Sequence, residues 1–251
     1  MYIINKQKNK YITLIISIIL LLTACSTDST TDLGTMPSKT IENDVRTPEA
    51  NATLPYNIPP YAGAANIPVN NDVPFFTEND FTTDPFEYYS NLDNLGRCGT
   101  AYANVCTELM PTEPRGDINE ITPTGWVQKN YPSIIDDEWL YNRCHLIGFQ
   151  LTGENTNEKN LITGTRYLNI DGMLGLENSI ADYIQINPDN HILYRVTPVF
   201  LNNELLCRGL LIEAISVEDR GKELQFCRFA YNVQPGIEID YTTGNSQIKE
   251  E

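Results

Sequence analysis

Basic residues are scarce in this chain. Seventeen lysines and arginines stand against 33 aspartates and glutamates in 251 residues, for a formal net charge of -16 at pH 7. That balance excludes binding to a polyanion through a broad basic face, because such affinity comes from Lys and Arg neutralising phosphates. Long apolar runs are also missing. The run over residues 11–22 falls short of the ~20 residues that a helix needs to span a bilayer. No CxxC pair and no Cys/His spacing of the zinc-ligand kind occurs, which excludes a structural zinc site. No internal repeat is present, and the length and strand pattern do not provide the two α/β lobes of a solute-binding protein. Histidine is limited to His145 and His191.

What is present begins with a targeting segment. Lys6, Lys8 and Lys10 precede the apolar run, the arrangement of a secretory signal. The run ends Leu22-Thr23-Ala24-Cys25, which resembles a bacterial lipobox. That resemblance implies a signal peptide over residues 1–24 and a lipidated Cys25. The exported domain would then be anchored on the outer face of a bacterial cell membrane. The alternative is an ordinary signal with an incidental cysteine. Loss of the three signal lysines makes the mature chain more acidic still. Residues 25–59, rich in Ser, Thr, Asn, Pro and Asp, read as a flexible tether, since such a segment buries too little apolar surface to offset its ordering entropy. Residues 60–251 are enough for one domain with its own core.

Five cysteines follow Cys25: Cys98, Cys106, Cys144, Cys207 and Cys227. Export permits disulfides, but an odd number leaves at least one unpaired or bonded between chains. Cys98 and Cys106 would lie ~26 Å apart on an extended strand, so they bridge only if the chain turns between them.

Along the domain, residues 61–86 read as a Pro- and Asn-spaced lead-in that packs as a cap. Residues 92–109 read as a strand punctuated by Gly96 and Gly99. Asp136, Asp137 and Glu138 form a solvated acidic turn, because neighbours at i, i+1 and i+2 do not converge. Residues 140–151 and 160–165 read as two strands joined by a polar loop. Residues 169–185 read as mainly helical, with Ile180, Tyr183 and Ile184 as the core face. Gly172 and Gly175 place the start of regular helix near Leu176. Three strands follow, over 191–200, 205–217 and 224–232, the last two joined as a hairpin.

The stretch 141–177 concentrates groups able to work on a phosphate ester. Hydrolysis of such an ester needs an activated water, charge relief on the phosphoryl oxygens and help for the leaving oxygen. A neutral histidine suits the first task, and a hard cation on oxygen ligands suits the other two. His145 is the candidate base, Asn169 and Glu177 are oxygen donors, and Arg143 is a fixed positive group. In a continuous helix Asn169 and Glu177 would sit ~12 Å apart along the axis. Either the glycines bend the chain between them, or Glu177 acts through a metal-bound water. Cys144 is a poor nucleophile candidate, because it and His145 point to opposite faces of a strand. His191 has no donor cluster near it in sequence and reads as structural.

The spacing resembles that of the ββα-metal (His-Me finger) nucleases, the DNA/RNA non-specific endonucleases. These carry Asp-Arg-Gly-His, an Asn opening the second strand, an Asn nine residues later and a Glu eight beyond it. Here the residues are Asn142-Arg143-Cys144-His145, Asn160, Asn169 and Glu177, with departures at Asn142 and Cys144. The blocks LGRCGTAYAN, LMPTEPRG, LYRVTPVF, SVEDRG and YNVQPGIEIDYTTG are similar to the branch of secreted streptococcal-type nucleases. The likeness runs from about Phe75 to Ser246.

The resemblance implies an α+β fold with a central, mainly antiparallel sheet flanked by helices and loops. It implies DNA as substrate, with RNA left open, and Mg²⁺ as cofactor, for which Mn²⁺ substitutes. His145 would be the general base, Asn169 the protein ligand of the metal and Glu177 the holder of its waters. Arg143 and Asn160 would position phosphate and base. Arg97, Arg115 and Arg166 are further candidates for substrate contact. No protein partner is implied. The alternative is a non-catalytic surface lipoprotein that binds nucleic acid or protein on a nuclease fold, which the acidic charge and Asn142 favour.

Overall fold

A computed structural model of the protein describes residues 57–250. The signal segment, Cys25 and nearly all of the tether lie outside the described residues. Ten strands are described: β1 (Asn66–Pro68), β2 (Phe86–Tyr89), β3 (Ala101–Val105), β4 (Tyr141–His145), β5 (Leu161–Thr165), β6 (Ile192–Val199), β7 (Gly209–Ser216), β8 (Gln225–Tyr231), β9 (Ile237–Ile239) and β10 (Ser246–Ile248). Six of them form one antiparallel sheet in the order β1-β8-β7-β6-β3-β2, while β4 pairs with β5 and β9 with β10. Among the described residues no helix is long and apolar enough to cross a membrane.

Alternation along the long strands sorts the sheet into two faces. Leu210, Ile212 and Ala214 of β7, with Tyr194 and Val196 of β6, face a core shared with helix α2 (Gly175–Ile186). From α2 that core receives Ile180, Tyr183 and Ile184. Leu211, Cys227, Phe229 and Tyr231 face the other way, onto Val69 and Ile58. Ile58 is therefore packed into the domain two residues before the expected start. On this same far face Arg195 makes a two-pronged ion pair with the buried Glu213, at 2.8 and 2.9 Å. A third cluster, Tyr131, Ile135, Leu140, Tyr141, Leu206 and Ile237, fixes the loop that precedes β4.

The expected elements hold with identifiable trims. Within residues 92–109 only Ala101–Val105 pairs. The rest turns, because Asp93 Oδ1 accepts from the N–H of Leu95 and of Arg97 at 2.9 Å and Gly96 adopts φ 78°. The lead-in does more than cap, since it contributes edge strand β1 and reaches edge strand β2. The first strand of the core unit ends at His145, after which Gly148 opens the short helix α1 (Phe149–Thr152). The expected helix begins as a π-helix over Leu168–Leu174 and becomes α-helical at Gly175. All five cysteines of the described residues are buried free thiols. Cys98 donates to the carbonyls of Glu158 and Leu161, at 3.3 and 3.2 Å.

Candidate active site

Strand β4, the π-helix and the start of α2 meet at a cleft of about 680 Å³. The side chains of Arg143, His145, Asn169 and Glu177 all line it. The π-helix is what brings the last two together. In a straight α-helix, residues eight apart point about 80° away from each other. The wider i→i+5 turn changes that phase, and Asn169, Leu174 and Glu177 all reach the cleft.

His145 sits at the end of β4 between two partners of opposite character. Its Nε2 lies 3.0 Å from the Asn155 carbonyl oxygen, and its Nδ1 lies 3.3 Å from Arg115 Nη2. A carbonyl only accepts and a guanidinium only donates. The proton therefore belongs on Nε2, and Nδ1 carries the lone pair. Burial pushes the imidazole pKa down to about 4, and the Arg115 charge adds to that, against the opposing pull of the Asn155 hydrogen bond. The ring is thus neutral at pH 7.

Glu177 is buried at the base of the cleft, and its Oε1 accepts from the Gly148 N–H at 2.9 Å. A Cβ at position 148 would come within 2.7 Å of that oxygen, so only glycine lets the carboxylate approach the main chain. Burial raises the Glu177 pKa to about 7, while the Gly148 hydrogen bond and the Arg115 charge hold it down. Asn169 is oriented from β4. Its Nδ2 donates to Asn142 Oδ1 at 3.2 Å, and its Oδ1 accepts from Cys144 Sγ at 3.2 Å. Cys144 fits because Gly164 lies across the hairpin, where a Cβ would sit 2.6 Å from that of Cys144. Its thiol is fully buried, and burial keeps its pKa well above the ordinary value, so it is not a nucleophile.

These groups suit a hard divalent cation. Glu177 is a buried carboxylate that makes no ion pair among the described residues, a costly state unless positive charge arrives. Asn169 supplies an amide oxygen whose one partner among the described residues is a weak thiol donor. Two oxygen donors in an open cleft leave room for a cation that keeps several of its waters.

The remaining candidates separate by geometry. Arg143 lines the cleft, donates from Nε to the Ile121 carbonyl at 2.6 Å and stacks over Trp126 at 4.5 Å. Arg115 lines it too. Arg97 does not: it binds Asp93 at 2.7 Å and the carbonyls of Asn202 and Glu204, at 2.8 and 3.0 Å. Arg166 is paired with Asp137 at 2.8 Å, and it is Asp137 that reaches the cleft. Asn160 is fully buried, with both ends of its amide on the main chain of Ile147, at 2.9 and 3.0 Å. It does not line the cleft, and its amide holds the turn that follows His145. His191 binds Glu218 at 2.7 Å, away from the cleft.

Six of the eight described arginines are ion-paired, which leaves Arg115 and Arg143 as the two whose charge is not spent on a carboxylate. Both are at the cleft, where they stand with Asp137 and Glu177. Sequence reasoning did not single out Trp126, Trp139 or Asn119, which also line it. The sequence marks Trp139 only by its place directly after the acidic turn.

A two-stranded unit followed by a helix, with a histidine on the strand and oxygen donors on the helix, is a ββα-metal architecture. The sequence profile of the DNA/RNA non-specific endonucleases matches residues 77–217, more than half of the chain, and the protein belongs to that family. A deoxyribonuclease from Streptococcus dysgalactiae subsp. equisimilis is 32% identical over 109 residues. That match covers 42% of this chain, and the chain spans only 32% of the relative's length. Among solved structures, the fold is similar to NucA from Streptococcus agalactiae with magnesium ion bound (TM-score 0.64, 23% identity, 72% of this chain and 86% of that one). The metal-free form of the same protein gives a TM-score of 0.66 at 22% identity, over 78% of this chain and 92% of that one. The Sda1 nuclease with bound zinc ion gives 0.60 at 22% identity, over 74% and 97%.

Proposed function

We propose that the protein is an exported, lipid-anchored nuclease that hydrolyses phosphodiester bonds of DNA with little sequence preference, RNA being left open as a second substrate. The single observation that carries this reading is the neutral His145, its Nδ1 met by Arg115, in a cleft that also holds Asn169, Glu177 and the two arginines not paired with carboxylates. His145 Nδ1 takes the proton from the attacking water once Arg115 Nη2, which donates to that lone pair at 3.3 Å in the free protein, turns onto the phosphate. The Asn155 carbonyl holds the ring in the required tautomer and steadies the imidazolium that forms. Arg115 and Arg143 hold the phosphate against the base. Asn169 and Glu177 would hold Mg²⁺, the second through water molecules. When bound, the cation polarises the phosphoryl group and relieves charge on the leaving oxygen. Export and attachment through Cys25 rest on the targeting segment of the sequence.

The test is cleavage of plasmid DNA by the purified chain with Mg²⁺, with EDTA, and as His145→Ala. Cleavage should require the metal, and the variant should lose ~10²–10⁴ in rate with an unchanged circular dichroism spectrum. A folded wild type that leaves DNA intact with both Mg²⁺ and Mn²⁺ would overturn the proposal in favour of a binding protein.

A further inference from the structure

The chain has two tryptophans, and both line the cleft. Trp126 is engaged, with the Arg143 guanidinium 4.5 Å over its ring and Tyr141 packed beside it at 6.4 Å. Trp139 is bare. It is 50% exposed, and among the described residues no ring or cation packs on it.

This exposure is built in, because the backbone beneath the ring is fixed on both sides. Trp139 pairs with Asn130 in an isolated β-bridge. Tyr131 N–H donates to the Glu138 carbonyl at 2.7 Å, and Leu140 N–H donates to the Lys129 carbonyl at 3.0 Å. Leu140, the next residue, is fully buried in the third core cluster. Glu138, the residue before, holds φ at 68°, a left-handed conformation that a non-glycine residue adopts only where its surroundings impose it. The chain thus stabilises an unfavourable turn while leaving a large aromatic face open over the cleft.

We infer that Trp139 is a stacking platform for an unpaired nucleobase beside the scissile phosphate, and that it sets a preference for single-stranded or locally unstacked nucleic acid over intact duplex. This rests on the proposed nuclease reading. Two arginines without carboxylate partners, one of them already held by Ile121 and Asn119, give little electrostatic affinity on a chain of net charge -16, so another contact must retain the substrate. A base has an apolar face that an indole can cover whatever its sequence, which suits cleavage without sequence preference. A base inside a duplex has both faces covered already and cannot use the platform.

The experiment compares wild type, Trp139→Ala and Trp139→Phe on a single-stranded oligonucleotide and on the duplex of the same sequence. Trp139→Ala should raise KM on the single strand about 5- to 100-fold, the range of one lost base–aromatic stack. It should leave kcat near wild type and the duplex KM little changed, and Trp139→Phe should recover most of the loss. In parallel, the single strand is titrated in EDTA while tryptophan fluorescence is read, with no cleavage taking place. Quenching should appear in wild type and fall away in Trp139→Phe. An active enzyme whose single-strand KM and strand preference survive Trp139→Ala would overturn the inference and leave the nuclease reading intact. Quenching that depends on Trp139 in a protein that never cleaves would keep the platform and overturn the nuclease reading.

Discussion

Asn169 Nδ2 donates to Asn142 Oδ1 at 3.2 Å, which turns the oxygen end of the Asn169 amide toward the cation proposed above. With the nitrogen held by Asn142 and the oxygen touched, among the described residues, by the Cys144 thiol alone at 3.2 Å, an oxygen lone pair is left for the cleft. Groups that orient a metal ligand are commonly worth 10- to 100-fold in metal affinity. Asn142→Ala should therefore raise the Mg²⁺ concentration for half-maximal activity by about 10- to 100-fold, with kcat at saturating metal much less affected. Asn142→Asp keeps the acceptor and adds negative charge, so it should lower that concentration. A metal titration that is the same in all three proteins would show that the bond does not orient the ligand.

The pH behaviour of His145 follows from its buried position. A base must be neutral to work, and a pKa near 4 keeps it neutral far below the ordinary histidine value of about 6.5. The acid limb of kcat/KM should fall well below pH 6. Stability runs the same way: the folded pKa is depressed, so this contribution is fully present above about pH 6.5 and is lost as pH falls through about 4. Thermal melts of wild type and His145→Gln over that window should converge toward the acid end.

Glu177 has the opposite sign. Its folded pKa is raised to about 7, so its contribution to stability is fully present below about 4.5 and is lost as pH rises through about 7. Metal-free protein should lose Tm across that range, and Glu177→Gln should flatten the loss. Mg²⁺ should raise Tm more at pH 8 than at pH 5.5, because only the ionised carboxylate gains from the cation. Equal stabilisation at both pH values would argue that Glu177 takes no part in binding it.

Asn160 is expected to act through the main chain. Its removal leaves the N–H and the carbonyl of Ile147 buried without partners, at about 1–3 kcal/mol for each. Asn160→Ala should move the urea midpoint strongly downward, and activity should fall because the turn after His145 loosens. If stability is unchanged while single-strand binding is lost, Asn160 contacts the substrate instead.

That His145, Asn169 and Glu177 share one cleft is readable because the grouping is local in sequence. His145, Asn169 and Glu177 lie within one strand–strand–helix unit, where spacing carries most of the geometry. Spacing could not tell that Asn160, at a matching offset, would turn its whole amide onto Ile147. Nor could it separate Arg115 from Arg97, since partners of Arg97 come from Asn202 and Glu204, far along the chain. The π-helix was half visible, as glycines that delayed the regular helix. The three-residue edge strand β1 is too short to show a period of two, and it pairs only because β8 offers an edge.

The spent arginines have a further consequence for how long a substrate stays. With Arg115 and Arg143 as the proposed phosphate contacts, log K should fall against log salt with a slope of about -2 on duplex, shallow beside proteins that track DNA through many lysines. So small a footprint provides no rail along which to slide. The enzyme should be distributive: it cuts once, lets go and meets a different molecule next. Early digests would then show a broad population of shortened chains rather than a few fully degraded ones beside intact starting material.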